Sequence, residues 1–355
     1  MPDFNVRIKQ MLTLLILLGL IFLAGKELVP FLPGLLGAVT LYIISRRLYF
    51  TMVFQKKWSK AWVAIGYIFF YLIIFLIPFT VAVTLISPKI NKALQNPEAI
   101  IETGKHVITT IQNKIGLRLL SENALSDMVK RATAAIPKLL NSTINIISNL
   151  AIMLFILYYM LVRGSEIERY LSNVIPLKRN NIHLLSVETK KLVISNALGV
   201  PFISIIQGLV ATLGYFLFGV KDWGLYGFIT GVCAFFPVVG TMIVWVPLVL
   251  YMYASGDVMN AVLLGIYSII ATGNIDYVAR VTLLKKMANV HPVITILGVL
   301  VGLGLFGFIG LIFGPLLINY IIVLYDIYMN EFVYNEPAPL SPEEELLSTK
   351  MEKKK

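Results

Sequence analysis

The chain has 355 residues, of which 58% are hydrophobic and only 14% charged, and its formal net charge is +11. An ordinary soluble domain carries about 25% charged residues, and a soluble fold this apolar would expose more hydrophobic surface than such folds tolerate. The composition therefore excludes an ordinary soluble globular protein. The basic residues are expected to set membrane orientation and to contact membrane lipids, not nucleic acid.

Uncharged runs cover more than half of the chain. Many of them reach the roughly 20 residues that a membrane-spanning helix needs, whereas the strands of a membrane barrel would read as short alternating segments. We therefore predict an all-α polytopic membrane protein with about six full transmembrane spans and two re-entrant helical hairpins arranged as an inverted repeat. An external helical hairpin insert completes the prediction. The uncharged runs are 10–25, 28–45, 61–88, 139–162, 192–220, 223–256, 258–275 and 292–325.

The first three spans are predicted within residues 1–87, where Lys26 and Glu27 mark the outer turn of a hairpin between spans one and two. Lysine and arginine are concentrated in 45–60 and 163–191, which places both segments in the cytoplasm. Span two then runs inward and span three outward, span four inward and span five outward. Spans three to five are predicted at about 62–86, 143–162 and 194–219.

Residues 88–142 are charged but patterned, with apolar or small positions that recur at alternating steps of four and three. This spacing indicates amphipathic helices, and turn-like residues near Gly116 divide them into two halves. The segment is predicted to be an external helical hairpin with one apolar face. That face either packs on the outer surface of the same chain or contacts another subunit. Span four and a basic cytoplasmic linker follow within 143–191.

The run 223–256 would be about 50 Å long as one helix, which exceeds the roughly 30 Å hydrocarbon core. Pro237 and Gly240 are expected to break it, and clustered glycines interrupt 292–325 in the same way. If 224–254 crossed the membrane once, the basic segment after residue 279 would lie outside, so a re-entrant hairpin is favoured. The expected hairpin-tip or gating residues are Pro237, Gly240, Gly304, Gly307 and Gly310.

Residues 192–328 are accordingly predicted to form a transport unit of span, hairpin, span and hairpin. Discontinuous helices in inverted repeats surround the solute sites of secondary transporters. The order is span 194–219, hairpin 224–254, span 258–279 and hairpin 292–328, and a charged cytoplasmic tail occupies 329–355.

Four polar side chains in this unit are candidates for binding a solute or ion. Asp276 is the carboxylate well inside the C-terminal apolar region, where it would carry a proton or bind sodium. Alternatively, it pairs with Arg280 one helical turn later. Asn274 and Gln207 offer amides for a polar solute or a cation, although for Gln207 an interhelical hydrogen bond is the favoured role.

The sequence predicts no enzyme. Its three histidines, His106, His183 and His291, are far apart, and it contains no zinc-protease, nucleotide-binding or hydrolase motif. No metal or cofactor is expected apart from a coupling ion, Na⁺ or H⁺. His291 precedes Pro292 at the start of the second hairpin, where it either responds to pH or caps the helix.

Five short segments follow one another in a fixed order and spacing: Gly219–Val220, Phe236–Gly240, Asn274–Arg280, His291–Pro292 and Gly302–Gly310. Together they resemble the autoinducer-2 exporter (AI-2E) family of bacterial membrane proteins, and the resemblance covers essentially the whole chain and is sharpest over 190–325. The sequence departs from the family pattern at Thr241, Tyr277 and Val281. The resemblance implies a transporter, homo-oligomeric and elevator-like; some relatives are associated with export of a furanone-type signal and others with sodium–proton exchange.

Three functional hypotheses follow. The first is a secondary transporter or exporter of a small polar solute, and the second is a monovalent cation–proton antiporter that uses Asp276. The third is a membrane scaffold that moves nothing and binds a partner through 88–142. In each case the expected location is the bacterial inner membrane, with both termini in the cytoplasm.

Overall fold

The described part of the chain is helical throughout and contains no strand. The computed structural model describes residues 2–95, 102, 109–110, 122–175, 177–236, 240–275, 292–307, 310–329 and 333. The helices are α1 (Pro2–Leu28), α2 (Leu32–Phe50), α3 (Lys60–Gln95), α4 (Glu122–Val174), α5 (Arg179–Leu217), α6 (Trp223–Cys233), α7 (Met242–Ala254), α8 (Val258–Tyr267), α9 (Pro292–Phe306) and α10 (Gly310–Tyr328).

Four stretches of the described residues are long and apolar enough to cross a membrane. They are Ile8–Gln55, Lys60–Lys89, Asn145–Val174 and Asn181–Leu217. The membrane character predicted from composition is thus confirmed. The predicted number of six spans is not confirmed, because the later apolar helices are shorter.

The predicted hairpin between spans one and two is wrong. The chain passes from α1 into α2 through one 3-10 turn, Val29–Phe31, and the backbone keeps right-handed helical angles at Leu28, Phe31 and Leu32. Pro30 does not reverse the chain, because the φ angle of proline suits the first position of a helical turn. The cytoplasmic position of the N-terminus was inferred through this hairpin and stays a prediction.

Helices α2, α3 and α4 form the first packed unit. Near the start of α2 the Gly34 N–H donates to Asn149 Oδ1 of α4 at 3.0 Å, and further along α2 the Tyr42 hydroxyl donates to Glu168 at 2.8 Å. These contacts advance in the same direction, so α2 and α4 are parallel. Helix α3 is antiparallel to them, as Ser45 of α2 bonds Tyr71 at 2.6 Å. The predicted relative directions of spans two, three and four agree with this packing.

Helix α4 runs from Glu122 to Val174 and kinks at Arg163, where φ is −113° and ψ is 19°. Beside the kink, the Tyr42 hydroxyl lies so close to Gly164 that a Cβ there would overlap it. Arg46 donates two hydrogen bonds to the Glu168 carboxylate, one from Nε at 2.5 Å and one from Nη2 at 2.7 Å. Because α3 extends to Gln95 and α4 begins at Glu122, both ends of the predicted insert are helical; most of its middle lies outside the described residues.

The second packed unit is centred on α5. Helix α6 returns along α5 after a turn in which Gly219 and Asp222 have positive φ angles of 70° and 61°. At this turn Asp222 accepts a 2.5 Å bond from Lys89 Nζ of α3. Helices α3 and α5 therefore point toward the same end of the molecule, in agreement with the common outward direction predicted for spans three and five.

Helix α8 is antiparallel to α5. The Tyr267 hydroxyl at the end of α8 donates to the Val210 carbonyl at 2.9 Å. Further along the chain, just after α8, the Thr272 carbonyl lies 3.5 Å from Gln207 Nε2. Helix α10 is also antiparallel to α5, since Tyr320 bonds Thr189 at 2.7 Å while Phe313, nearer the start of α10, packs with later residues of α5. Helix α5 is therefore the common support of the C-terminal third.

Candidate functional site between two helix interruptions

The first interruption separates α6 from α7, as the sequence predicts. At the C-terminal end of α6 the chain folds over the helix terminus, and a Cβ on Gly240 would overlap the Cys233 carbonyl. Thr241 begins the next helix, and its carbonyl accepts from the N–H groups of Val244 and Trp245 at 3.2 and 3.1 Å. Gly240 is thus required by close backbone approach, while Pro237 lies outside the described residues.

Small residues bring α6 against α5. A Cβ on Gly208 would lie 3.0 Å from the Gly231 Cα, and a Cβ on Gly227 would overlap the Thr212 side chain. The end of α6 reaches Ser204, because a Cβ on Gly231 would lie 3.3 Å from the Ser204 carbonyl. The first interruption therefore lies beside the middle of α5.

The second interruption is a tight hairpin between α9 and α10. Gly307 turns the chain with φ of 60°, and two glycines one turn apart on α9 face two glycines one turn apart on α10. A Cβ on Gly302 would overlap the Gly310 carbonyl, and one on Gly314 would overlap the Gly298 carbonyl. The two helices contact each other through their backbones, the arrangement that paired G-x-x-x-G sequences permit.

The three predicted tip glycines of this hairpin have different positions. Gly307 forms the turn itself, and Gly310 is part of the glycine contact between the helices. Gly304 is exposed in the last turn of α9, and a Cβ there would meet no atom within 4 Å. Gly304 therefore lies close to the turn but outside the glycine contact with α10, and its gating role stays a prediction.

Both interruptions lie next to one stretch of α5. The second interruption is about one helical turn before Phe313, which packs with Leu192 and Val193 of α5. The first interruption is beside Ser204 of α5. Along residues 195–207, α5 carries four buried polar residues. They are Ser195, Asn196, Ser204 and Gln207, at 1%, 8%, 2% and 1% exposure.

Three oxygen atoms in this stretch lack a hydrogen-bond partner within the described structure. They are Ser195 Oγ, Ser204 Oγ and Gln207 Oε1. A buried polar group without a partner costs about 1–3 kcal/mol, so natural proteins retain few of them. Oxygens of this kind are suited to accept hydrogen bonds from a solute or to bind a cation. We call this stretch, Ser195–Gln207, the polar segment of α5.

The opposite wall of the candidate site, which faces Gln207, is formed by an irregular helical segment. Helix α8 continues into a π-helical segment, Ser268–Gly273, whose Ser268 and Thr272 are buried at 2% and 1% exposure. Gln207 Nε2 donates to the Thr272 carbonyl at 3.5 Å, which is a long bond. Single π-helical turns inside α-helices often occur at functional sites.

The predicted binding residues differ in where the structure places them. Gln207 is buried in the polar segment and makes the interhelical bond that was its alternative role, while its oxygen has no partner among the described residues. Asn274 is exposed and bonds the Ile270 carbonyl of its own helix at 2.8 Å, so its amide faces away from this wall. Asp276, Arg280 and His291 lie outside the described residues, and Pro292 begins α9.

Sequence reasoning missed Ser195, Ser204 and Thr272, because single hydroxyl residues in an apolar run carry no distinctive signal. It also missed Gly298. The two G-x-x-x-G sequences, Gly298–Gly302 and Gly310–Gly314, were the available signal, because they predict close helix packing. Ion pairs among the described residues join other parts of the chain, and no metal-binding group of histidine, cysteine and acidic residues occurs in that part.

A family model described as "AI-2E family transporter" matches residues 11–330. The chain belongs to the AI-2E transporter family. This confirms the resemblance found in the sequence motifs. The match covers nearly the whole chain and both helix interruptions.

Curated relatives of this AI-2E family member have the same general name, "Putative transport protein". The chain is 24% identical over 184 residues to one from Aquifex aeolicus and 26% identical over 203 residues to one from Helicobacter pylori. These alignments cover 52% and 55% of this chain and 52% and 58% of the relatives. A Methanocaldococcus jannaschii protein is 28% identical over 180 residues, or 49% of this chain and 53% of its own. The chain therefore spans about half the length of the curated relatives it matches.

Proposed function

We propose that the protein is a secondary transporter that binds a small polar solute against the polar segment of α5, between the two helix interruptions. The observation that carries this proposal is the set of three buried oxygens without partners, Ser195 Oγ, Ser204 Oγ and Gln207 Oε1. In a membrane, irregular backbone is tolerated where protein covers it or where it lines a cavity. Buried acceptors beside two such interruptions are the arrangement expected of a solute site.

Helix lengths and directions support a re-entrant course for the first hairpin. Helices α6 and α7 have 11 and 13 residues, about 16 and 20 Å, and neither covers a 30 Å hydrocarbon core. If 224–254 crossed the membrane once, α8 would be parallel to α5, whereas the observed course is antiparallel. Helix α8 and the segment up to Thr272 therefore run back toward the end at which α5 begins.

The hairpins differ in how their helices are held, and this difference supports a division of roles. Helices α9 and α10 are joined along a glycine contact, so they form one rigid body. Helix α6 instead packs mainly on α5 and α7 mainly on α8. The first interruption is thus the gate that opens over the solute, and the α9–α10 hairpin moves as a unit in an elevator-like cycle.

Orientation follows from the ends of the first packed unit. Arg46 and Glu168 come from the two basic segments predicted to be cytoplasmic, and their ion pair supports a common side for both. We place that side in the cytoplasm of a bacterial inner membrane, as the positive-inside rule favours. The homo-oligomer and the membrane position of the C-terminal tail remain predictions.

The test is flux through purified protein in liposomes preloaded with autoinducer-2, with dyes for H⁺ and Na⁺ in parallel. Gln207→Leu removes the unpartnered oxygen at similar volume, so it is expected to reduce solute efflux at least tenfold. Gln10→Leu is the matched control, because Gln10 is exposed on α1. Equal efflux in both variants would refute the proposed site.

Ion flux separates this function from the antiporter. Sodium–proton exchange without autoinducer-2 efflux, retained in Gln207→Leu, would replace the solute transporter with the antiporter. Absence of all flux under either gradient would favour the scaffold. Asp276, on which the antiporter rests, lies outside the described residues.

A further inference from the structure

The turn between α2 and α3 has a fixed and unusual backbone. Helix α2 ends in a π-helical segment, Thr51–Gln55, and Lys57 has a positive φ angle of 56°. The Tyr49 hydroxyl of α2 donates to the Lys60 carbonyl at 3.1 Å, which ties the start of α3 to α2. We call residues 54–62 the α2–α3 turn.

This turn is positively charged and exposed. Residues 54–60 are all exposed, including Lys56, Lys57 and Lys60. The sequence has no acidic residue between Glu27 and Glu98. Among the described residues the nearby carboxylate of Glu168 pairs with Arg46, and no carboxylate pairs with the three lysines. The three ammonium groups are therefore available to an anionic partner.

Large aromatic side chains surround these lysines. Trp58 and Trp62 are 59% and 75% exposed, and Lys60 Nζ lies 5.9 Å from the centre of the Phe54 ring. Phe54 in turn stacks on Phe50 with ring centres 5.3 Å apart. Tryptophan together with lysine is typical of the boundary between the hydrocarbon core and the headgroups. The turn lies at that boundary, because the apolar Lys60–Lys89 segment begins there.

We infer that the α2–α3 turn is a binding site for an anionic phospholipid. Lys56, Lys57 and Lys60 contact the phosphate of the headgroup, while the rings of Trp58 and Trp62 lie at the level of the lipid glycerol. An acidic peptide would satisfy the charges, but it would leave both indole rings in water. A lipid satisfies both at once. This inference is independent of the proposed transport function.

Quenching of tryptophan fluorescence by brominated lipid tests the site directly. The full-length protein carries Trp223→Phe and Trp245→Phe, so that Trp58 and Trp62 supply the signal. Brominated phosphatidylglycerol and brominated phosphatidylcholine are compared in detergent micelles. Each lysine near an anionic surface contributes about 1 kcal/mol, or roughly fivefold in affinity. With three lysines, phosphatidylglycerol is therefore expected to quench at roughly 100-fold lower concentration than phosphatidylcholine.

Charge removal at the turn provides the decisive comparison. Replacing Lys56, Lys57 and Lys60 by glutamine is expected to bring the two lipids to equal quenching, and each single replacement to reduce the preference about fivefold. Lys190→Gln with Lys191→Gln, on α5, is the matched control and should keep the preference. An unchanged preference in the triple and single variants would overturn the inference.

Soluble phosphate is the competing ligand. Glycerol 3-phosphate at millimolar concentration shares the phosphate but lacks acyl chains, and it is expected to leave lipid quenching unchanged. If it displaced phosphatidylglycerol completely, the site would bind a soluble phosphate compound and the lipid assignment would be wrong.

Discussion

Gly302 and Gly304 lie two residues apart in α9 and provide a matched pair of substitutions. A Cβ on Gly302 would lie 2.6 Å from the Gly314 Cα, whereas a Cβ on Gly304 would meet no atom within 4 Å. Carbon atoms pack best at about 3.5–4.0 Å, so Gly302→Ala forces α9 and α10 apart by about 1 Å. Gly304→Ala requires no such movement.

The size of the effect follows from that displacement. A gap of about 0.5–1 Å removes a quarter to a half of the dispersion energy of each contact, and overpacked sites typically lose about 1–3 kcal/mol. Alanine in a helix recovers about 0.5–1 kcal/mol relative to glycine. Gly302→Ala is therefore expected to lower the free energy of unfolding by about 1–2 kcal/mol, while Gly304→Ala leaves it unchanged or raises it by up to about 1 kcal/mol.

Thermal unfolding of the detergent-purified protein, followed by circular dichroism, measures this difference. Gly302→Val should enlarge the loss, since valine adds two further methyl groups at the contact, whereas Gly304→Val should remain mild. If the two alanine variants unfolded at the same temperature, the backbone contact between α9 and α10 would not be a determinant of stability.

Three further predictions concern other parts of the chain. Gly307→Ala places a side chain at φ of 60° and should cost about 1–2 kcal/mol, with Gly307→Asn milder, as measured by thermal unfolding. Lys89→Asp should loosen the contact between α3 and the turn before α6, and adding Asp222→Lys should restore it; cross-linking of cysteines placed in the two segments reports the outcome, and no rescue would count against the ion pair. Gln207→Leu removes a buried oxygen without a partner but also the long bond to the Thr272 carbonyl, so stability should change by no more than about 1 kcal/mol while transport falls; a large loss of both would indicate a structural role.

The helix interruptions could be predicted because proline and glycine act locally. Gly240 and Gly307 lie at breaks for reasons of backbone geometry that the sequence displays directly. The relative directions of the spans were also predictable, since charge distribution constrains them. The continuity of α1 and α2 was not, because Pro30 is compatible both with a turn and with a helix start.

The composition of the candidate site could be predicted only in part. Gln207 is conspicuous as an amide in an apolar run, but the burial of Ser204 depends on packing between Gly208 and Gly231, which are distant in sequence. Likewise, Gly302 and Gly304 look alike in the sequence, and only the rotational position of α9 decides which one faces α10. Side-chain roles that depend on helix register were beyond sequence reasoning.

The parallel packing of α2 and α4 has a consequence for biogenesis. Arg46 and Glu168 are separated by 122 residues, and at about 5–20 residues per second their synthesis is separated by roughly 6–24 s. During this interval α2 and α3 leave the ribosome while the segment that supplies Glu168 has not yet been made. The first three-helix unit therefore cannot be completed until α4 has been synthesised, and until then the Arg46 guanidinium lacks its partner from α4.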